Sequence, residues 1–222
     1  MDIIDRLYLG MPGNHSMDAS LTKEQKESMI DAAATKLGEL MDILRVDHRS
    51  DPNTKDTPHR VARMYVNELL AGRFSAPPQL TEFDCIQTSG ELMVTGPIEL
   101  RSTCAHHLMP IFGSAIIGVI AADGRIIGLS KYDRVVHHFA RRFQVQEELT
   151  HQIGDYLMEH TAPRGLAVRV RAVHMCKTHR GVLASQDSQM ISSAYYGVLK
   201  DDPQLKAEFL DECRSLEARG RT

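Results

Sequence analysis

Leu166-Ala167-Val168-Arg169-Val170-Arg171-Ala172-Val173-His174-Met175-Cys176 alternates with a period of two. That period predicts a β-strand over 166–176, with His174 and Cys176 on one face and Arg169 and Arg171 on the other. Two helical segments precede it. One opens at about Gln146 and sets Leu149, Ile153 and Leu157 on one side. Before that, Ser130 and Asp133 have capping spacing for a helix running to about Arg142. Further upstream, 81–90, 92–103, 111–121 and 125–129 read as strands, with Asp123-Gly124 as a hairpin turn between the last two. Downstream, the segment after Val182 is expected to return as a strand, and Asp202-Pro203 to open a last polar helix. The order, helices then ββααββ, implies an α+β domain with an antiparallel sheet.

The helices at the front are amphipathic. Thr22 and Gln25 have capping-box spacing, and Met29, Ala33, Leu37, Leu40 or Met41, and Leu44 recur at three- and four-residue steps. After the polar loop Asp47 to Asp56, Thr57 is placed to cap a second helix, with Pro58 in its first turn. Val61, Met64, Tyr65, Leu69 and Leu70 form its apolar face, and Gly72 supplies a stop. The expected division is an N-terminal arm over 1–20, a helical pair over 21–76 and the α+β domain over 77–222.

Bulk properties narrow the function. Hydrophobic residues make up 42% and charged residues 25% of the 222, an ordinary globular balance. A formal net charge of -3 gives no footprint for a nucleic-acid or anionic-membrane partner, so an anionic ligand would need a local cluster of cations. The longest apolar stretch, Ala115 to Ala122, falls far short of the ~20 residues of a membrane helix. The acidic start, Met1 to Arg6, lacks the apolar core of a secretory signal, which points to the cytoplasm. Four cysteines then read as reduced thiols or metal ligands, not as a disulfide scaffold.

Three residues stand out as ligands. Cys104-Ala-His-His107 puts a thiol and an imidazole three residues apart at a strand end, and Cys176 closes the 166–176 strand. If those strands are neighbours, Cys104, His107 and Cys176 converge. Two thiolates and an imidazole suit zinc, and three protein ligands leave a position for water, as in a catalytic site. Zinc lowers the pKa of bound water to about 7, and His106 and His174 remain to move protons. The plainer alternative is that a lone C-x-x-H is chance and a buried cysteine is a small hydrophobe. Cys85 and Cys213 are assigned to packing or surface, and His137 and His138 to solvent or interface.

Thr103-Cys104-Ala105-His106-His107, Ile127-Gly128-Leu129-Ser130-Lys131, Gln144-Val145-Gln146-Glu147 and His174-Met175-Cys176 with Arg180-Gly181 occur in one order. With Thr57-Pro58-His59-Arg60-Val61-Ala62 upstream, this set resembles the GTP cyclohydrolase I family over about residues 25 to 215. The resemblance implies a tunnelling fold, an antiparallel sheet with helices packed on one face, behind an N-terminal helical pair. It also implies a homo-oligomer, a decamer of two pentameric rings with active sites between subunits. The family's reaction opens the imidazole ring of GTP at C8, releases formate and recloses the skeleton as 7,8-dihydroneopterin triphosphate, the first step of tetrahydrofolate and pterin biosynthesis. In those roles, Cys104, His107 and Cys176 would hold Zn2+, and His106 would protonate the purine nitrogen. His174 and Ser130 would assist the later rearrangement. Gln146 and Glu147 resemble the guanine-reading pair, and Lys131, Arg134 and Arg180 the triphosphate ligands, with Arg60 reaching phosphate from a neighbour. No nucleic acid or membrane partner is implied.

Two departures stand against the match. Ala105 occupies a position where many family members have glutamate, and Ala184 to Gln189 differs from the Thr/Ser-rich segment common there. They leave open a divergent tunnelling-fold paralogue acting on a related purine or pterin, or a non-catalytic zinc-stabilised ring subunit.

Overall fold

The computed structural model describes residues 12–16, 21–84, 90–122 and 124–219. The chain divides into two compact units at Ala76/Pro77.

In the first unit, α1 (Lys23–Ile43) packs on α2 (Thr57–Met64), which runs on into a π-helical turn, Tyr65–Leu69. The capping box at Thr22 forms as expected: Gln25 N–H donates to Thr22 Oγ1, and Thr22 N–H to Gln25 Oε1. The buried ridge of α1 is Ile30, Ala34 and Gly38, one residue round from the expected face, and Leu40 and Leu44 are exposed. At Gly38 a Cβ would lie 3.0 Å from the His48 ring, so the chain folding back after the helix, and not side-chain size alone, chooses the inner face. Asp56, not Thr57, is the N-cap of α2, and it makes no side-chain capping bond. Pro12 to Ser16, expected to belong to a loose arm, are tied down, because Arg73 donates to Pro12 O and His15 O.

The second unit holds a five-stranded sheet in the order β5-β2-β3-β6-β7. These strands are β2 (Leu92–Cys104), β3 (Pro110–Ile120), β5 (Phe143–Gln144), β6 (Gly165–His174) and β7 (Gln189–Gly197). All pairs are antiparallel except β2 with β5. A separate pair joins β1 (Glu82–Asp84) to β4 (Arg125–Ile127). The Asp123-Gly124 hairpin therefore does not exist as a pairing: both edges of β3 are taken by β2 and β6, and β4 pairs elsewhere. Asp123, and residues 85–89 of the expected 81–90 strand with Cys85, lie outside the described residues.

Helices cover both faces of the sheet, not one. α3 (Leu129–Ala140) and α4 (Gln146–Thr161) press Val135, Val136, Phe139, Leu149, Ile153 and Leu157 against Ile117, Val168 and Val170. After the short turns α5 (Met175–Thr178) and α6 (Val198–Asp201), α7 (Pro203–Arg219) lays Phe209 and Cys213 on the other face, against Ile116, Ile120 and Ala167. The unbroken apolar run of β3 is thus a central strand buried on both sides. Gly118 belongs to it because a Cβ there would lie 2.5 Å from the Phe209 ring. A bulge between Thr95 and Ile98 exchanges the two faces of β2, turning Ile98 and Leu100 toward α3 and α4.

Gly128 caps α3, which starts at Leu129, so Ser130 lies in its first turn and not at the cap. His138 is buried, contrary to its assignment to solvent or an interface. Arg142 donates to His138 Nε2 at 2.7 Å, so that nitrogen keeps its lone pair and the ring is neutral. Burial, aided by the Arg142 charge, pushes the His138 pKa down to about 4.

Candidate active site

Cys104 is the buried last residue of β2. The chain then closes a tight loop: Leu108 N–H donates to Cys104 O at 2.9 Å, and Cys104 N–H to Met109 O at 2.8 Å. Ala105 is exposed, and only its backbone is engaged, its N–H donating to Gln144 O at 3.0 Å. His107 stands exposed on this loop.

Cys176 arrives by a different route from the one expected. β6 ends at His174, and Cys176 sits in the helical turn α5, so alternation along a strand is not what orients it. Nor are β2 and β6 neighbours, because β3 lies between them and separates their ends by two strand spacings, about 10 Å. The loop after β2 and the turn after β6 bring their side chains together past that end of β3. The sulfurs of Cys104 and Cys176 and a ring nitrogen of His107 lie within 4.8 Å of one another. Among the described residues, no other three His, Cys, Asp or Glu side chains gather in this way, and this group could hold a metal ion. Burial pushes the Cys176 thiol above its ordinary range, and the adjacent Cys104 thiol adds to the rise. A bound dication favours the thiolate form of such ligands, and two sulfurs and an imidazole are soft donors, so the donor set fits a metal.

His174, Glu147 and Arg180 adjoin this group. Burial lowers the His174 pKa while the Glu147 charge opposes the shift, and the Arg180 charge acts on Cys176. His106 is exposed, with its ring edge-on to that of His107 at 6.3 Å between centroids. Gln146 is buried, and its carboxamide is fully engaged. Its Nε2 lies 3.2 Å from Val170 O, 3.2 Å from Met190 O and 3.1 Å from Ser192 Oγ, and its Oε1 is 2.8 Å from His174 Nε2. Thr150 Oγ1 donates to Gln146 O at 2.8 Å and sits 2.6 Å from Ser192 Oγ. No motif in the sequence marks Thr150 or Ser192. Thr150 is one helical turn from Gln146, a usable signal. Ser192 had none, because its place follows from its pairing with Val170 across β6 and β7.

Ser130, Lys131 and Arg134 are not brought to this group within one chain. The C-terminal turn of α3 is the end nearest Cys104, since His137 Nε2 meets Glu99 O and Gln144, the β5 partner of Cys104, donates to Phe139 O. The three residues occupy the other half of the helix, with Ser130 roughly 15 Å along its axis from Ala140 at 1.5 Å per residue. Arg60 belongs to the first unit.

Fold and site together define an α+β protein with a thiol–imidazole group that could hold a metal ion at one end of its sheet. The family described as GTP cyclohydrolase I matches residues 33–214. The GTP cyclohydrolase 1 of Carboxydothermus hydrogenoformans is 44% identical over 154 residues, covering 69% of this chain and 79% of that protein. Those of Aeromonas salmonicida and Vibrio campbellii are 38% and 36% identical, covering 86% and 88% of this chain and 85% and 88% of their own lengths. The chain belongs to the GTP cyclohydrolase I family. Among solved structures, an apo archaeosine synthase QueF-Like aligns with 55% of this chain and 97% of its own at a TM-score of 0.35 and 13% identity. No described helix is long and apolar enough to cross a membrane.

Proposed function

We propose that this chain is a zinc-dependent enzyme that hydrolyses GTP at C8 and rearranges the product to 7,8-dihydroneopterin triphosphate, releasing formate. The observation that carries the reading is the convergence of Cys104, His107 and Cys176 in a member of this family. Two sulfurs and one imidazole favour zinc over harder cations, and three protein ligands leave room for a fourth. Zinc held there supplies Lewis acidity that makes water a usable nucleophile at neutral pH.

The chain's own residues do the remaining work. Exposed His106, beside ligand His107, delivers a proton to the purine nitrogen as the ring opens. His174 moves protons in the later rearrangement, with Ser130. The exposed Glu147 carboxylate accepts from the ring N–H and exocyclic amine of guanine, a donor pair that adenine lacks. Lys131, Arg134 and Arg180 hold the triphosphate as the local cation cluster that a net charge of -3 requires.

The distance along α3 supports a site shared between copies: Ser130, Lys131 and Arg134 of one subunit complete the group Cys104, His107, Cys176, His174 and Glu147 of another. A tunnelling-fold decamer of two pentameric rings provides that arrangement. The three described cysteines are free thiols, in keeping with a cytoplasmic location. To test the function, zinc-loaded protein is incubated with GTP, and formate and the fluorescent oxidised pterin are followed. No formate under conditions that sustain a control enzyme refutes it.

A further inference from the structure

We propose that Gln146 is a positioning residue: its buried carboxamide, oriented by Val170 O and Met190 O, fixes a hydrogen of His174 on Nε2 and so sets the orientation of the ring. The proposal rests on the reading of His174 as an active-site group.

Val170 O and Met190 O are carbonyl oxygens and can only accept. The Gln146 atom 3.2 Å from each of them must therefore be the NH2 group. The opposite orientation would press a third oxygen against two others in a site 1% exposed. With the amide so oriented, the atom 2.8 Å from His174 Nε2 is Oε1, also an acceptor only. His174 Nε2 thus carries a hydrogen, and the ring is held by the amide through that nitrogen.

The hydroxyls behind Gln146 agree. The Thr150 hydroxyl donates to Gln146 O, so Ser192 Oγ–H donates to Thr150 Oγ1, and its oxygen shares the two Gln146 amide hydrogens with the two carbonyls. The bonds run one way, from His174 through Gln146 and Ser192 to Thr150 and back to the α4 backbone. Direct base reading by this carboxamide would disturb its four contacts, to His174 Nε2, Ser192 Oγ, Val170 O and Met190 O. Specificity for the base then falls to Glu147, which is exposed and adjacent.

The test needs no turnover. Magic-angle-spinning 15N spectra are taken of zinc-loaded protein carrying 15N-histidine, and His174 is assigned by difference from His174→Asn. The expected spectrum shows a protonated Nε2, its hydrogen slow to exchange, and this exchange protection is lost in Gln146→Met. A lone pair on Nε2 of the unsubstituted protein overturns the proposal. Ser192→Ala leaves both carbonyls in place and is expected to keep the protected signal, and its loss there would place the orientation in the hydroxyl chain and refute the carbonyl argument. In the GTP assay, Gln146→Met is expected to lower kcat about 100-fold, the low end for losing a placed acid or base, with KM within about threefold. A large rise in KM at near-normal kcat would mean that Gln146 reads the base. Absence of formate from the unsubstituted protein refutes the proposed function alone, since the spectra still report the tautomer.

Discussion

Acid should destabilise this protein through His138 in particular. The folded chain keeps that ring neutral under an Arg142 donor, with its pKa pushed from 6.5 down to about 4. The unfolded chain takes up the proton first as pH falls, so the group's stabilising contribution is complete above the unfolded value and is lost between about 6.5 and about 4. Proton linkage with those two values gives a loss of about 2 kcal/mol at about pH 5, approaching about 3 kcal/mol near pH 4. The perturbation is His138→Gln, which keeps an acceptor for Arg142 and removes the titration. The assay is urea denaturation of the zinc-loaded protein at about pH 7.5 and about pH 5, at one protein concentration, with both chains in parallel. Carboxylates and metal ligands titrate alike in both, so the difference between the two losses isolates His138. The unsubstituted protein should lose about 2 kcal/mol more than the variant over that interval. Equal losses would mean that the folded protein protonates His138 as easily as the unfolded one, and the buried neutral-ring account would be wrong.

Cys176→Ser should lose the metal while His106→Ala retains it and loses turnover, read by metal analysis and formate release; equal metal loss in both would erase the division between ligand and acid. Ser130→Ala and Cys176→Ser, each impaired alone, should recover roughly a quarter of full activity when unfolded and reassembled as a mixture, because a shared site can draw both intact halves from different copies. No recovery, with mixed oligomers demonstrated, would place the whole site in one chain. Gly118→Ala should cost about 1–3 kcal/mol in denaturation midpoint experiments, since its new Cβ overlaps the Phe209 ring, and Phe209→Leu should relieve part of that cost. Ala105→Glu should change metal affinity by less than about tenfold, because that side chain is exposed and only the residue's backbone supports the loop.

Much of this protein is local information. Alternation and three- and four-residue steps located the strands and helices, and the capping box at Thr22 formed from the residues that spelled it. The candidate metal trio was visible as residue types: a thiol, an imidazole three positions on, and a second thiol at the end of the 166–176 segment. What residue order could not carry was how separated segments meet. Strand pairing decided that β3 stands between β2 and β6, that β4 leaves its supposed hairpin partner, and that Ser192 lies beside Gln146. Helix packing turned α1 by one residue, buried His138 and put α7 on the second face of the sheet. The reason is the same throughout. A period depends on a residue and its near neighbours, whereas burial and hydrogen-bond partnership depend on which distant segment arrives to share the space. Cys176 shows both sides: its candidacy as a ligand was written in the chain, but the helical turn that delivers its sulfur was set by where β6 runs out of partners.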